Sequence, residues 1–319
     1  MPKISVVIPC YNASEFISRC VKSLEEQDFK DFKVIFVDDC SEDDTVNKIE
    51  DIQKNSPLNI VLLKNEVNRG PAFSRNAGIQ YSNTEYITFC DCDDWYEPDF
   101  LSTMFNMISQ NNVGISLCGY NVVDERGNSQ KRPIIENDAI MSGREALKLD
   151  SDSLCMLMVR TDIMKETLLP DIRNGEDVAV VPMLILKSEN CMATSKCMYN
   201  YFRRSDSASQ KPTMKVVDSL IASFNYTKSV FPKQFTTELE YLGIKNMLYS
   251  TIISLFSFSY DTAKANKIIE SFEAEHSDWI NNPYFEYLSL YKKVVLKLLK
   301  KRWYFAIKSI AIIRNILVK

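Results

Sequence analysis

Tyr86-Ile87-Thr88-Phe89-Cys90-Asp91-Cys92-Asp93-Asp94-Trp95-Tyr96-Glu97-Pro98 is the stretch whose reading decides the fold. Residues 86–90 are β-branched, aromatic and apolar without alternation, the pattern of a strand buried on both faces. The strand runs directly into Asp91, Asp93 and Asp94. Carboxylates crowded at the end of a buried strand repel one another unless a cation or another positive group lies among them. In an open α/β sheet that end is also where ligands bind. The economical reading is a divalent metal, held by Asp93 and its neighbours and shared with a phosphate-bearing substrate. Taken alone, the cluster reads first as solvated turn acids ahead of a helix starting near Pro98, so the rest of the chain must decide.

Upstream, residues 3–8 read as a buried strand and Pro9-Cys10-Tyr11-Asn12 as a turn. Ser14 is placed to N-cap a helix with Phe16, Ile17, Cys20, Val21 and Leu24 at helical spacing. Residues 33–37 form a second strand ending at Asp38-Asp39-Cys40-Ser41-Glu42-Asp43-Asp44-Thr45, with a helix through Ile49 and Ile52 behind it. Residues 59–63 form a third strand, and Asn68-Arg69-Gly70-Pro71 turns into a helix carrying Arg75 and Asn76. Strands and helices alternating through short connections predict a parallel sheet wound by right-handed crossovers. The polar clusters all follow strands and should therefore converge on one sheet edge, which lifts the Asp91–Asp94 cluster above an incidental turn.

Downstream, a helix through Leu101, Met104, Phe105 and Ile108 precedes a strand over residues 114–123 and a turn at 124–127. Ser142-Gly143-Arg144-Glu145 marks a helix start, and residues 154–159 are another buried apolar run. Asn174-Gly175-Glu176-Asp177 opens an apolar helix over 178–186, and a strand over 191–202 empties into a polar loop at 203–209. Beyond Pro212 only helices are expected, over 216–230, 235–258, 262–275 and from 284 onward. The predicted division is a domain over 1–212 and a helical region over 213–319.

Composition narrows the function classes. The chain has 319 residues, 45% apolar, enough for one large core or two domains. Residues 4–8 are too short an apolar run for a signal peptide, so none is expected. The nine cysteines contain no C-x-x-C pair, which fits reduced structural thiols of a cytoplasmic protein. A single histidine, His276, speaks against a histidine-dependent triad or a histidine-rich metal site. The formal charge of −4 conceals an asymmetry: residues 292–319 carry nine basic residues and no acid, so the remaining body carries −4 less those nine charges, or −13. An acidic body argues against nucleic acid as a partner.

Five motifs in order make the chain recognisable. Ser5-Val6-Val7-Ile8-Pro9-Cys10-Tyr11-Asn12, Val37-Asp38-Asp39-Cys40-Ser41 through Thr45, Asn68-Arg69-Gly70 with Ser74-Arg75-Asn76-Ala77-Gly78, Asp91-Cys92-Asp93-Asp94 and Glu176-Asp177 resemble the family-2 inverting glycosyltransferases of GT-A fold that build bacterial surface polysaccharides. The resemblance covers roughly the first two-thirds of the chain and implies an α/β catalytic domain of GT-A type, a Rossmann-like, mostly parallel sheet with flanking helices. It implies a nucleobase pocket lined by Pro9 and Tyr11, with Asp39 and Arg75 on the edge of a base that is usually uracil. It further implies Asp91 on the ribose and Asp93 ligating Mg²⁺ or Mn²⁺ at the diphosphate. Asp177 would be the general base, Glu176 a contact to the sugars, and Arg203 or Arg204 a contact to the diphosphate. The implied reaction moves a hexosyl or N-acetylhexosaminyl group from a UDP-sugar to a hydroxyl of a glycan or lipid-linked acceptor. Cys40 and Cys92 depart from the small residues common in these motifs, Asp44 from a frequent glycine, and residues 205–210 lack the histidine that some relatives use as an additional metal ligand.

Each role has a physical reason. A departing diphosphate needs charge stabilisation, which a bound metal supplies as a Lewis acid. An acceptor hydroxyl is a weak nucleophile, so a carboxylate within hydrogen-bond reach must take its proton. One carboxylate opposite the leaving group suffices for a single displacement, unlike the pair a glycosidase needs. A phosphatase of the haloacid-dehalogenase type also places D-x-D after a strand, but requires a small hydroxyl residue where this chain has Trp95. A catalytically inactive sugar-nucleotide-binding scaffold is the alternative from another class; it would be marked by loss of Asp93 or Asp177, and both are present. Finally, the basic tail with Trp303-Tyr304-Phe305 reads as an amphipathic helix, either lying in the plane of an anionic membrane at the inner face of the cell or packing as a core helix.

Overall fold

The computed structural model describes residues 2–149, 151–204 and 212–317, with side chains through residue 313. The chain forms two compact units, 1–205 and 206–319. The expected loop at 203–209 is therefore described only at Arg203 and Arg204.

Unit one opens with β1 (Ile4–Cys10), α1 (Ile17–Glu25), β2 (Phe32–Asp38), α2 (Thr45–Asn55), β3 (Asn59–Lys64), α3 (Pro71–Tyr81) and β4 (Tyr86–Phe89). β1, β2 and β4 are buried at every residue, as uninterrupted apolar runs in a covered parallel sheet must be. β3, with only Ile60 buried, lies at the sheet edge. Ser14 does not cap α1. Phe16 occupies that position without a side-chain cap, while Ser14 donates its N–H to Asp43 Oδ2 at 3.1 Å and so belongs to the loop.

The chain continues through β5 (Trp95–Tyr96), α4 (Phe100–Gln110), β6 (Ile115–Asp124), β7 (Ser129–Arg132), β8 (Ala139–Ser142), α5 (Gly143–Ala146), β9 (Leu157–Arg160), α6 (Thr161–Lys165), α7 (Glu176–Lys187) and β10 (Asn190–Arg203). The sheet order is β3-β2-β1-β4-β9-β6-β10-β5, with β7 beside β6 and β8 beside β10. Its first four strands are parallel, as expected. Beyond them the sheet is mixed: β9 enters antiparallel to both β4 and β6, whereas β10 returns parallel to β6. The helix start read at Ser142 is a reciprocal capping box with Glu145, but that helix is only four residues long.

Two features position the site. The ends of β1 and β2 are laced together: Asp39 N–H donates to Cys10 O at 2.8 Å and Asn12 N–H to Ser41 Oγ at 2.9 Å. α3 lies so close to the sheet that a Cβ on Gly78 would fall 2.4 Å from Val7 Cγ1. That approach holds Arg75, one turn earlier, in the interior.

Unit two contains α8 (Met214–Val230), α9 (Thr236–Gly243), a π-helical segment (Ile244–Ser250), α10 (Thr251–Phe258), α11 (Thr262–Glu273), α12 (Leu290–Lys300) and α13 (Tyr304–Leu317). The single basic helix expected over 292–319 is two helices. Arg302 takes a left-handed φ of 59°, and its Nη2 donates to Glu273 Oε2 at 2.6 Å, which breaks the run and ties the turn to α11. Val295, Leu296, Leu299, Ile307 and Ala311 from this tail enter the core of the unit.

Candidate active site

The carboxyl ends of β1, β2 and β4, the start of α7 and the end of β10 carry the residues singled out in the sequence. Arg75 is at the centre. Its guanidinium is buried, with Nη1 donating to Glu176 Oε1 at 2.6 Å and Nη2 to Asp91 Oδ1 at 2.7 Å. Nη1 also lies 3.8 Å from Asp177 Oδ1. One buried cation thus faces three carboxylates, leaving a net negative site that attracts further positive charge. Both terminal nitrogens go to carboxylates, so in this structure Arg75 is an electrostatic hub.

Glu176 and Asp177 open α7 behind Gly175, where the exposed N–H groups of the first turn favour negative charge. Asp177 Oδ2 accepts hydrogen bonds from Ser153 Oγ at 3.3 Å and Leu154 N at 3.2 Å. Its Oδ1 is buried and has no hydrogen-bond donor. Burial is the largest influence on this carboxyl, and Glu176 and Asp91 add to it. Together they outweigh Arg75 and raise its pKa to about 6. A buried acceptor without a donor, on a group that titrates near neutrality, is suited to receiving a proton.

The three aspartates after β4 separate in character. Asp91 is the most open, with its side chain 38% exposed. Asp94 is buried, accepting the Tyr199 hydroxyl at Oδ2 and Phe202 N–H at 2.7 Å at Oδ1, so it fastens the motif to β10. Burial, followed by Asp91 and Asp93, pushes its carboxyl well above the ordinary range. Asp93 pairs with Arg204 Nη2 at 3.1 Å. Burial, reinforced by Asp91, raises its carboxyl too. Among the described residues no group of three or more His, Cys, Asp or Glu side chains is arranged to hold a metal ion. Asp93 and Asp91 offer hard oxygen donors that suit a cation completing its shell from a diphosphate and water, in competition with Arg204 for Asp93.

Pro9 is buried at the end of β1, while the Tyr11 ring next to it is 46% exposed and so open to stacking. Asp39 is buried and receives Asn65 Nδ2 at 2.8 Å, Arg69 N–H at 3.1 Å and Gly70 N–H at 2.6 Å. Gly70 can present its N–H because its φ is +89°, a backbone that side-chain-bearing residues rarely adopt. Asp39 therefore braces the turn into α3. The departure at Cys40 also has a structural correlate, since it carries a φ of 63°.

Several participants were not foreseen. Arg19 of α1 lies over both the Trp95 and Phe202 rings, 4.1 and 4.0 Å from their centroids, and donates to Asp93 O at 2.7 Å. Phe16, likewise unforeseen, carries the expected Arg204 4.4 Å from its ring centroid. Ser153 and Tyr199 hold Asp177 and Asp94 as described. No motif flags them, because each acts through a partner distant in sequence. A cavity of about 500 Å³ opens elsewhere, lined by residues that include Ser82, Asn83, Arg160 and Lys165, and it contains none of this machinery.

The profile for glycosyl transferase family 2 matches residues 5–168. A putative teichuronic acid biosynthesis glycosyltransferase, TuaG of Bacillus subtilis, is 26% identical over 201 residues, covering 63% of this chain and 79% of the relative. The GalNAc(5)-diNAcBac-PP-undecaprenol β-1,3-glucosyltransferase of Campylobacter jejuni is 30% identical over 150 residues, covering 46% of this chain and 48% of that protein. The crystal structure of S. aureus TarS 1–349 in complex with UDP is similar in fold, with a TM-score of 0.68 at 18% identity over 99% of this chain and 92% of that one.

Proposed function

This chain belongs to glycosyl transferase family 2, and we propose that it transfers a hexosyl or N-acetylhexosaminyl group from a UDP-sugar to a hydroxyl of a glycan or lipid-linked acceptor, with inversion. The observation that carries this reading is the Arg75-centred cluster, which brings Asp91 of the D-x-D stretch within one guanidinium of Glu176 and Asp177. The UDP complex of TarS and the undecaprenol-linked substrate in the Campylobacter relative's name support the donor and acceptor classes.

In this mechanism Tyr11 stacks on the base above Pro9, with Asp39 and the turn it braces toward the base edge, while Asp91, held by Arg75, binds the ribose and Glu176 faces the sugars. Arg204 neutralises the diphosphate. Asp93, with Asp91 beside it, would hold Mg²⁺ or Mn²⁺, which when bound adds Lewis-acid stabilisation of the leaving group. The acceptor hydroxyl donates its hydrogen bond to the Asp177 carboxylate, whose side chain is 22% exposed. As the acceptor oxygen bonds to the anomeric carbon, the bond to the diphosphate breaks on the opposite face and the proton passes to Asp177. Ser153 Oγ and Leu154 N–H keep Oδ2 in place during the transfer.

The test separates binding from chemistry. Purified protein is screened for hydrolysis of, and thermal stabilisation by, sugar nucleotides, and Asp177→Asn is then compared with wild type. The variant should bind UDP as wild type does, while transfer falls by about 10²–10⁴-fold, the usual worth of a general base. Transfer by Asp177→Asn at the wild-type rate would overturn the assignment.

A further inference from the structure

We propose that the outward face of α12 and α13 docks on an anionic lipid bilayer. The core of unit two consumes one side of each helix, through Val295, Leu296 and Leu299 on α12 and Ile307 and Ala311 on α13. What remains outside is not the polar face that a helix with one apolar stripe normally shows. On α12 the outward line at helical spacing is Leu290, Val294, Lys297 and Lys301, with Leu290 78% exposed. Trp303 in the turn is 58% exposed, and Phe305 on α13 is 78% exposed, with Ile312 exposed two turns later. Large apolar side chains left in water on consecutive elements mark a contact surface.

Charge selects the occupant. Residues 287–313 contain no Asp or Glu. Lys300 and Arg302 are held by Glu273. Lys293, Lys297 and Lys301 have no carboxylate partner among the described residues, and Lys301 Nζ lies 5.4 Å from the centre of the Trp303 ring. Lysines interleaved with exposed aromatic and aliphatic side chains suit the headgroup layer: the rings and Leu290 enter the acyl boundary while the ammonium groups stay among the phosphates. No helix among the described residues is long and apolar enough to cross a membrane, so the contact is peripheral. It does not depend on the transfer reaction, although it would hold a site for lipid-linked acceptors near its substrate.

The experiment is sedimentation of the full chain with vesicles of phosphatidylcholine alone or mixed with phosphatidylglycerol, at low and high salt. Wild type should pellet only with the mixed vesicles, and high salt should release it. Leu290→Glu/Phe305→Glu should cut the bound fraction by about tenfold or more with an unchanged melting temperature, since both side chains are in solvent. Lys297→Gln/Lys301→Gln should weaken the preference for phosphatidylglycerol. As a measurement independent of these variants, mixed vesicles should blue-shift tryptophan emission in wild type and not in Trp303→Phe. Failure of wild type to bind mixed vesicles at low salt would overturn the proposal. So would a wild-type dimer that Phe305→Glu dissociates, which would assign the face to a second copy of the chain.

Discussion

Replacing Arg75 by Gln is the perturbation that distinguishes an electrostatic hub from a base-reading residue. The substitution removes one buried charge that contacts Glu176 at 2.6 Å and Asp91 at 2.7 Å and lies 3.8 Å from Asp177. Removing one partner of a buried ion pair typically costs about 3–5 kcal/mol, because the remaining charge is left uncompensated. The second effect is on Asp177. Arg75 is the chief influence opposing the burial that raises this carboxyl to about 6. A neighbouring cation favours the ionised carboxylate, so its loss should raise the Asp177 pKa further above about 6 and lower the ionised fraction at pH 7. Because the base acts ionised, activity is lost as pH falls through its pKa, and the acidic limb of the rate profile should move upward. The assay is kcat against pH, with urea unfolding and UDP affinity measured on the same preparations. Arg75→Lys, which keeps the charge, should restore most of the acidic limb. A stable Arg75→Gln variant with an unmoved acidic limb and a large loss of UDP affinity would refute the hub and leave the base edge as the residue's role.

Other expectations concern different parts of the molecule. UDP with Mn²⁺ should raise the melting temperature more than UDP with EDTA, and Asp93→Asn should remove the difference; equal stabilisation in EDTA would take the metal out of the reading. Arg204→Gln, which removes the guanidinium 3.1 Å from Asp93, should increase the affinity for Mn²⁺ alone, measured calorimetrically, while weakening UDP binding. Cys40→Gly should stabilise the protein by up to about 1 kcal/mol in urea unfolding, since relief of the left-handed backbone at φ 63° exceeds the entropy cost of glycine. Burial pushes the Glu273 carboxyl up, but hydrogen bonds from Arg302, Trp279 and Lys300 outweigh it and hold the pKa down to about 2. The stability this confers is complete above the ordinary value of 4.5 and is lost as pH falls toward 2. Glu273→Gln should therefore cost about 1–2 kcal/mol at neutral pH, the solvent-screened worth of its hydrogen bonds to charged partners, and flatten the loss of stability on acidification, read from urea midpoints at pH 7 and pH 3.

What the sequence determined by itself is local. The strands at Ile4–Cys10, Phe32–Asp38 and Tyr86–Phe89 are legible because a strand covered on both faces must be apolar throughout, and the turns after them because Asn12, Asp39, Ser41, Asp91 and Asp93 interrupt the run. Their alternation with helices implies a parallel half-sheet whose polar ends share one edge, and this placed Asp91 and Asp93 in a site. Periodicity reports which face of an element is apolar, not which neighbour covers it. The Arg75–Glu176 bond joins residues 101 positions apart, and Tyr199 reaches Asp94 across 105. The antiparallel entry of β9 and the position of Arg19 over two rings likewise depend on chain returns that no local pattern encodes. The tail shows the same division. Its basic and apolar content was plain in the sequence, but only packing against α11, through Glu273, broke it at Arg302 and sorted its apolar residues into those buried in the core and those left facing water.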